Sequence, residues 1–183
     1  MPVQIGQKSE SDFSNPLGLL TDCHRRIEKF LAVLIEVSGR AEGRVLDPEE
    51  RAALTNALEY FRNSAPKHTA DEEDSLFPRL RAQTSLDYLT ELESDHHAAD
   101  RDHQLVDALS RRWLNEGALP TEQSHDLKEA LARLSHMYEH HIALEDQELF
   151  PLAARVLPAD QLAEVGLEMA ERRSITPRGI SKK

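Results

Sequence analysis

Two halves of the chain carry the same stripe of inward-facing side chains at a fixed offset, and each stripe turns polar at one level. Steps of three and four place Leu17, Leu20, His24, Ile27, Leu31 and Leu34 on one helix face, and Leu89, Leu92, His96, Ala99, His103 and Val106 repeat it 72 residues on. A second stripe, Leu54, Leu58, Phe61, Ala65, His68, Glu72 and Leu76, returns 73 residues later as Leu127, Leu131, Leu134, Tyr138, His141, Glu145 and Leu149. Two helical hairpins related by duplication are therefore expected, and the simplest packing is an all-α, antiparallel up-down-up-down four-helix bundle.

Punctuation sets the helix limits. Ser14-Asn15-Pro16 and Asp47-Pro48-Glu49-Glu50 read as caps with proline in the first turn, and Gly39 and Gly43 close the first segment. The third helix is expected from near Ser85 to Gly117, the fourth from Thr121 to Phe150, and a short fifth C-terminal helix from Leu157-Pro158 to Arg173. Pro66 lies two residues before His68, where it removes a backbone donor and should kink or unwind the second helix. One domain over residues 14–173 is expected, with a disordered lead (1–13) and a disordered basic tail (174–183).

Burying even one unpaired carboxylate is costly, and two that face each other are worse. A layer made of His24, His68, Glu72, His96, His141 and Glu145 therefore needs compensating positive charge. His68 and Glu72, like His141 and Glu145, are four apart and share a helix face, so each pair can address a common volume. Imidazoles capping the ends and carboxylates bridging the middle would serve two metal ions, and this donor set without thiolate suits iron, or less readily manganese, better than structural zinc. A single histidine on an apolar stripe is ordinarily a hydrogen-bonded core residue. Four at one level with two glutamates, duplicated, point to metal instead.

Charge and composition exclude other classes. A formal charge of −11 disfavours nucleic acid as a partner. No apolar run reaches membrane-spanning length and no signal sequence is evident, so a cytoplasmic protein without a membrane partner is expected. The lone cysteine, Cys23, rules out an internal disulfide; it reads as a small packed side chain, or as a redox handle beside His24.

The strings His68-Thr-Ala-Asp-Glu72-Glu73-Asp-Ser-Leu76-Phe77-Pro78 and His141-Ile-Ala-Leu-Glu145-Asp146-Gln-Glu-Leu149-Phe150-Pro151 resemble the doubled His-His-Glu motif of hemerythrin-like cation-binding domains. With Asp22-Cys23-His24 and Asp95-His96-His97, the resemblance covers roughly residues 16 to 155. It implies two iron ions, oxo- or hydroxo-bridged, held by His24, His68, Glu72, His96, His141 and Glu145. Oxygen carriers of that family have a further histidine four past the counterpart of His96, and here that position is Asp100. The resemblance thus fits binding or sensing of dioxygen or a related small oxidant, an enzyme acting on peroxide or nitric oxide, or iron storage and iron-responsive regulation. A metal-free interaction module is the remaining alternative.

Several residues compete for further roles. His103 lies on the inner stripe two turns from His96 and reads as lining the cavity, with ligation the alternative. His97 and His140 would replace their neighbours if the register slipped by one. Tyr138 can hydrogen-bond within the site, ligate, or fill core. Glu93-x-x-His96 matches a ferritin-like spelling, but its counterpart before His24 is Thr21, so Glu93 reads as outer or surface. His125 and His136 fall on the surface.

Overall fold

A computed structural model describes residues 11–85 and 88–175. Every regular element among them is helical. α1 (Pro16–Ala41) begins where Asn15 accepts a hydrogen bond from the Gly18 amide with Pro16 in the first turn. It ends at Glu42 in the left-handed conformation. Gly43 follows with φ +81, and a Cβ there would come within 2.5 Å of the Leu119 carbonyl, so this crossing of two loops needs glycine.

α2 (Pro48–Asn63) opens on a full capping box, in which Asp47 accepts from the amides of Glu49 and Glu50 while Glu50 accepts from the Asp47 amide. The helix stops at Asn63 and restarts at α3 (Ala65–Asp71), so the break expected from Pro66 lies just ahead of that proline, whose ring clashes with the preceding turn. A π turn, Glu72–Leu76, then leads into α4 (Phe77–Gln83). The second half repeats this course with no break before its histidine. α5 (Tyr88–Glu116) is followed by α6 (Thr121–Leu144), a π turn at Glu145–Leu149, and α7 (Phe150–Val156). α8 (Ala159–Arg172) closes the described chain.

α1 packs on α2 and α6, and α5 on α6 and α2. Two apolar clusters fill the interior. One contains Leu31, Leu34, Leu58, Val106, Trp113 and Leu131, with Trp113 donating from its indole to the Arg44 carbonyl at 2.8 Å. The other, built on Leu20, Leu76, Phe77, Leu89, Leu149 and Phe150, extends under α8 through Val165 and Met169. His24, His68, Glu72, His96, His141 and Glu145 fall between the two clusters in sequence, on every helix that contributes them. No helix among the described residues is long and apolar enough to cross a membrane.

Of the lead expected at 1–13, residues 11–13 are described. Phe13 is half-buried against the second cluster, close over Gly166 of α8. Residues 1–10 and 176–183, most of the expected lead and tail, lie outside the described residues, as do 86 and 87 at the expected start of the third helix.

α8 is tied to the bundle by charge as well as by packing. Asp71 is fully buried, and Arg173 donates to both its oxygens at 3.1 and 2.6 Å while Arg172 donates at 2.8 Å. Burial still pushes the Asp71 carboxyl up. Arg173→Ala leaves one oxygen of that carboxylate without its donor and is expected to cost about 1–3 kcal/mol. A urea midpoint measured beside wild type checks this, and an unchanged midpoint would show that Arg172 alone suffices.

Candidate metal centre

All six residues expected at the polar layer meet in one place. α1 brings His24, α3 His68, α5 His96 and α6 His141, while the first residue of each π turn is the glutamate, Glu72 or Glu145. A π turn carries an extra residue within a helix and recurs at functional sites. Here it opens on the glutamate of the His-x-x-x-Glu pair, and Leu76 and Leu149, four residues further on, are fully buried. None of the six is more than 9% exposed, and His24, Glu72 and Glu145 are completely enclosed.

The donors fall into two sets of four, each with its ligand atoms within 4.8 Å of one another: His24, His68, Glu72 and Glu145, and Glu72, His96, His141 and Glu145. Both glutamates belong to both sets. His24 Nε2 lies 3.7 Å from Glu72 Oε1 and 3.1 Å from Glu145 Oε2, and His68 Nε2 lies 3.2 Å from Glu72 Oε1. Across the layer His96 Nε2 is 3.4 Å from Glu72 Oε2, and His141 Nε2 is 3.4 Å from Glu145 Oε2. His24 Nε2 and all four carboxylate oxygens are buried without a hydrogen-bond partner among the described residues.

The outward nitrogens of three of the rings are each held by an acid. Nδ1 of His24 lies 2.8 Å from Asp146, that of His96 2.7 Å from Glu73, and that of His141 3.3 Å from Asp95. An ionised carboxylate only accepts, so each Nδ1 carries a proton, and each ring when neutral presents its Nε2 lone pair inward. His96 Nε2 and His141 Nε2 then face each other at 3.0 Å, an arrangement that repels unless a cation or proton lies with them. Arg25 in turn pairs with Asp146.

Two aromatic rings complete the walls. Phe150 stacks on His24 with centroids 5.4 Å apart, and Phe77 on His96 at 6.4 Å. These phenylalanines belong to the repeated Leu-Phe-Pro, so each copy of that string shields the lone histidine of the other hairpin.

Electrostatics mark the layer as unsatisfied. Burial pushes His68 down to about 3, so it is neutral at any ordinary pH. Burial also opposes charge on His96, but the Glu72 carboxylate beside it and the Glu73 hydrogen bond outweigh that and lift it to about 9. Burial raises the Glu145 carboxyl, and the negative charge of Glu72 raises it further. Four imidazole nitrogens and two shared carboxylates, with unpartnered carboxylate oxygens and outer hydrogen bonds that fix three of the tautomers, fit a pair of divalent cations.

Residues 15–153 match the family model described as the hemerythrin HHE cation-binding domain. The chain belongs to that family. A relative from Haemophilus influenzae, described as an uncharacterized protein, is 34% identical over 175 residues, covering 89% of this chain and 92% of its own.

Beyond these six, this hemerythrin HHE domain resolves the remaining sequence candidates. His97, His140, His125 and His136 are exposed, so no register slip brings His97 or His140 inward. Glu93 pairs with Arg81 through two bonds of 2.8 and 2.7 Å, away from the layer. Asp100 is exposed and lines a cavity of about 520 Å³ that reaches His96, with Leu58, Phe61 and Val106 on its apolar side and Arg62, Gln104 and Asp107 on its polar side. His103 lines the same cavity, with Nε2 2.8 Å from the Tyr138 hydroxyl.

Burial pushes His103 down to about 4, against the opposing charges of Asp100 and Asp102. In the unfolded chain an ordinary histidine takes up its proton near 6.5, so between about 6.5 and 4 the unfolded state binds more protons. Stability is therefore lost as the pH falls through that window. Urea melts in chelator at pH 7 and pH 5 are expected to show a smaller loss for His103→Phe than for wild type, and equal losses would contradict the assignment.

Sequence reasoning missed the roles of Glu73, Asp146, Asp95, Phe77 and Phe150. Four of them sit inside the repeated strings at equivalent places. Glu73 and Asp146 directly follow the ligand-type glutamates at the 73-residue offset, and a repeated acid beside a repeated His-x-x-x-Glu was the signal available.

Proposed function

We propose that the chain is a non-haem di-iron protein in which His24, His68, Glu72, His96, His141 and Glu145 hold two iron ions, and that it binds or senses dioxygen or a related small oxidant. The observation that carries this reading is the sharing of both glutamates between two four-donor sets. A histidine and carboxylate donor set without thiolate favours iron, with manganese second. A pair of iron ions supplies one-electron redox chemistry and an open position for a small ligand.

The chain's own residues do the rest. Asp146, Glu73 and Asp95 hold three imidazoles in the tautomer that presents Nε2. Phe77 and Phe150 exclude water from the histidines they cover. The cavity beside His96 gives a small, weakly polar molecule a way in, and Asp100 in place of an imidazole leaves a donor position unfilled by nitrogen. The reading includes an antiparallel up-down-up-down arrangement of the four long segments, supported by the short connections within each hairpin, and a cytoplasmic setting. Nucleic acid is not a partner on this reading, given the charge of −11.

A second reading, turnover of peroxide or nitric oxide at the same centre, draws on the same cavity and unfilled position. Iron analysis with a visible spectrum tests the first. Two irons per chain, and an absorption that changes on aeration and returns on deoxygenation, are expected. A spectrum that does not return, together with steady consumption of peroxide, favours the enzyme, and iron-free protein overturns both.

A further inference from the structure

The duplication is obeyed at every position of the layer but one. His24 and His96 correspond, and their outer nitrogens meet the corresponding acids Asp146 and Glu73. His141 corresponds to His68, and its outer nitrogen meets Asp95. The residue that corresponds to Asp95, 72 positions earlier, is Cys23. In keeping with that, Nδ1 of His68 is buried and has no hydrogen-bond partner among the described residues, although the side chain is only 5% exposed. Cys23 is itself buried, and among the described residues its sulfur receives only the Arg26 guanidinium, at 3.6 Å. A thiol is a weak acceptor and uncharged at neutral pH, so it does not replace a carboxylate behind an imidazole.

An acceptor behind a metal-binding histidine fixes the ring and makes its inner nitrogen more basic, and losing one typically lowers metal affinity about 10- to 100-fold. We propose that the two metal positions are unequal: the one served by His24 and His68 binds its ion more weakly than the one served by His96 and His141, because Cys23 occupies the place of a carboxylate behind His68. The inference rests on the two-metal reading and adds to it an order of filling. When iron is limiting, the chain holds a single ion in the His96 and His141 set, and the second ion arrives only as iron becomes abundant. Cys23 is thereby a positioning residue, acting through His68.

The test is anaerobic titration of the metal-stripped full-length protein with ferrous iron against a competing chelator, read as two stepwise affinities. Repulsion between two cations separates the steps even at equal sites, so variants assign them. His68→Ala is expected to abolish the weaker step and leave the tighter one, and His141→Ala the reverse. Cys23→Asp is expected to strengthen the weaker step about 10- to 100-fold. Should the buried acid prevent folding, as circular dichroism would show, Cys23→Asn supplies a neutral acceptor and is expected to shift the same step in the same direction. The exchange in the other half, Asp95→Cys, is expected to weaken the tighter step by a similar factor. A folded Cys23→Asp protein with an unchanged weaker step, or loss of the tighter step in His68→Ala, overturns the proposal while leaving two-metal binding intact. No binding in wild type overturns the proposal together with the reading on which it rests.

Discussion

Glu72→Ala is expected to lose both metal ions, whereas His68→Ala loses one. The difference follows from geometry: His68 belongs to one set of four donors, but Glu72 belongs to both, with Oε1 toward His24 and His68 and Oε2 toward His96. Removing it leaves each set with two imidazoles and one carboxylate, and removes half the negative charge that would balance the cations. Metal analysis after dialysis, for both variants in parallel, checks this. Equal stoichiometries in the two variants would mean that the glutamates are not shared. Glu72→Ala is also expected to melt lower than wild type in iron, because both donor sets lose a carboxylate.

Stripping metal from the wild-type protein is the second large effect. Each ion held at about 100 times its dissociation constant contributes about 2.7 kcal/mol. For a chain of this size about 1 kcal/mol shifts the melting temperature by about 2–4 °C. Removal of both ions is therefore expected to lower the melting temperature by about 10–20 °C, recovered on adding ferrous iron. Calorimetry with and without chelator decides it, and a shift of a degree or two would mean that protons already satisfy the layer.

The layer was legible because it violates a pattern. Apolar periodicity located every long helix, and six polar residues at one level of that periodicity could be read off without coordinates. The family model and the two clustered donor sets bear out a cation-binding helical domain. What stands behind the histidines was harder to read, because Glu73, Asp95 and Asp146 look like ordinary solvated acids in a chain with 33 of them. Only packing decides which acids face a ring nitrogen. The π turns did leave a trace: steps of four, three, four, three along the second stripe give way to four and four at His68, Glu72 and Leu76, and again at His141, Glu145 and Leu149. A regular helix drifts off its face under such steps, and a wider turn absorbs the drift. The break before α3 was expected from Pro66, whereas α6 runs straight to its histidine because Glu139 stands at the corresponding place.

Each wide turn also divides its helix into two phases. One surplus residue shifts everything downstream by about 100° relative to an uninterrupted spiral. Excision of any one residue between Glu73 and Ser75, or between Asp146 and Glu148, would leave the donors ahead of it in place and swing Phe77 or Phe150 off the imidazole it covers. Substitutions at the exposed Asp74 or Gln147 leave this phase untouched, but a change in the length of either turn does not.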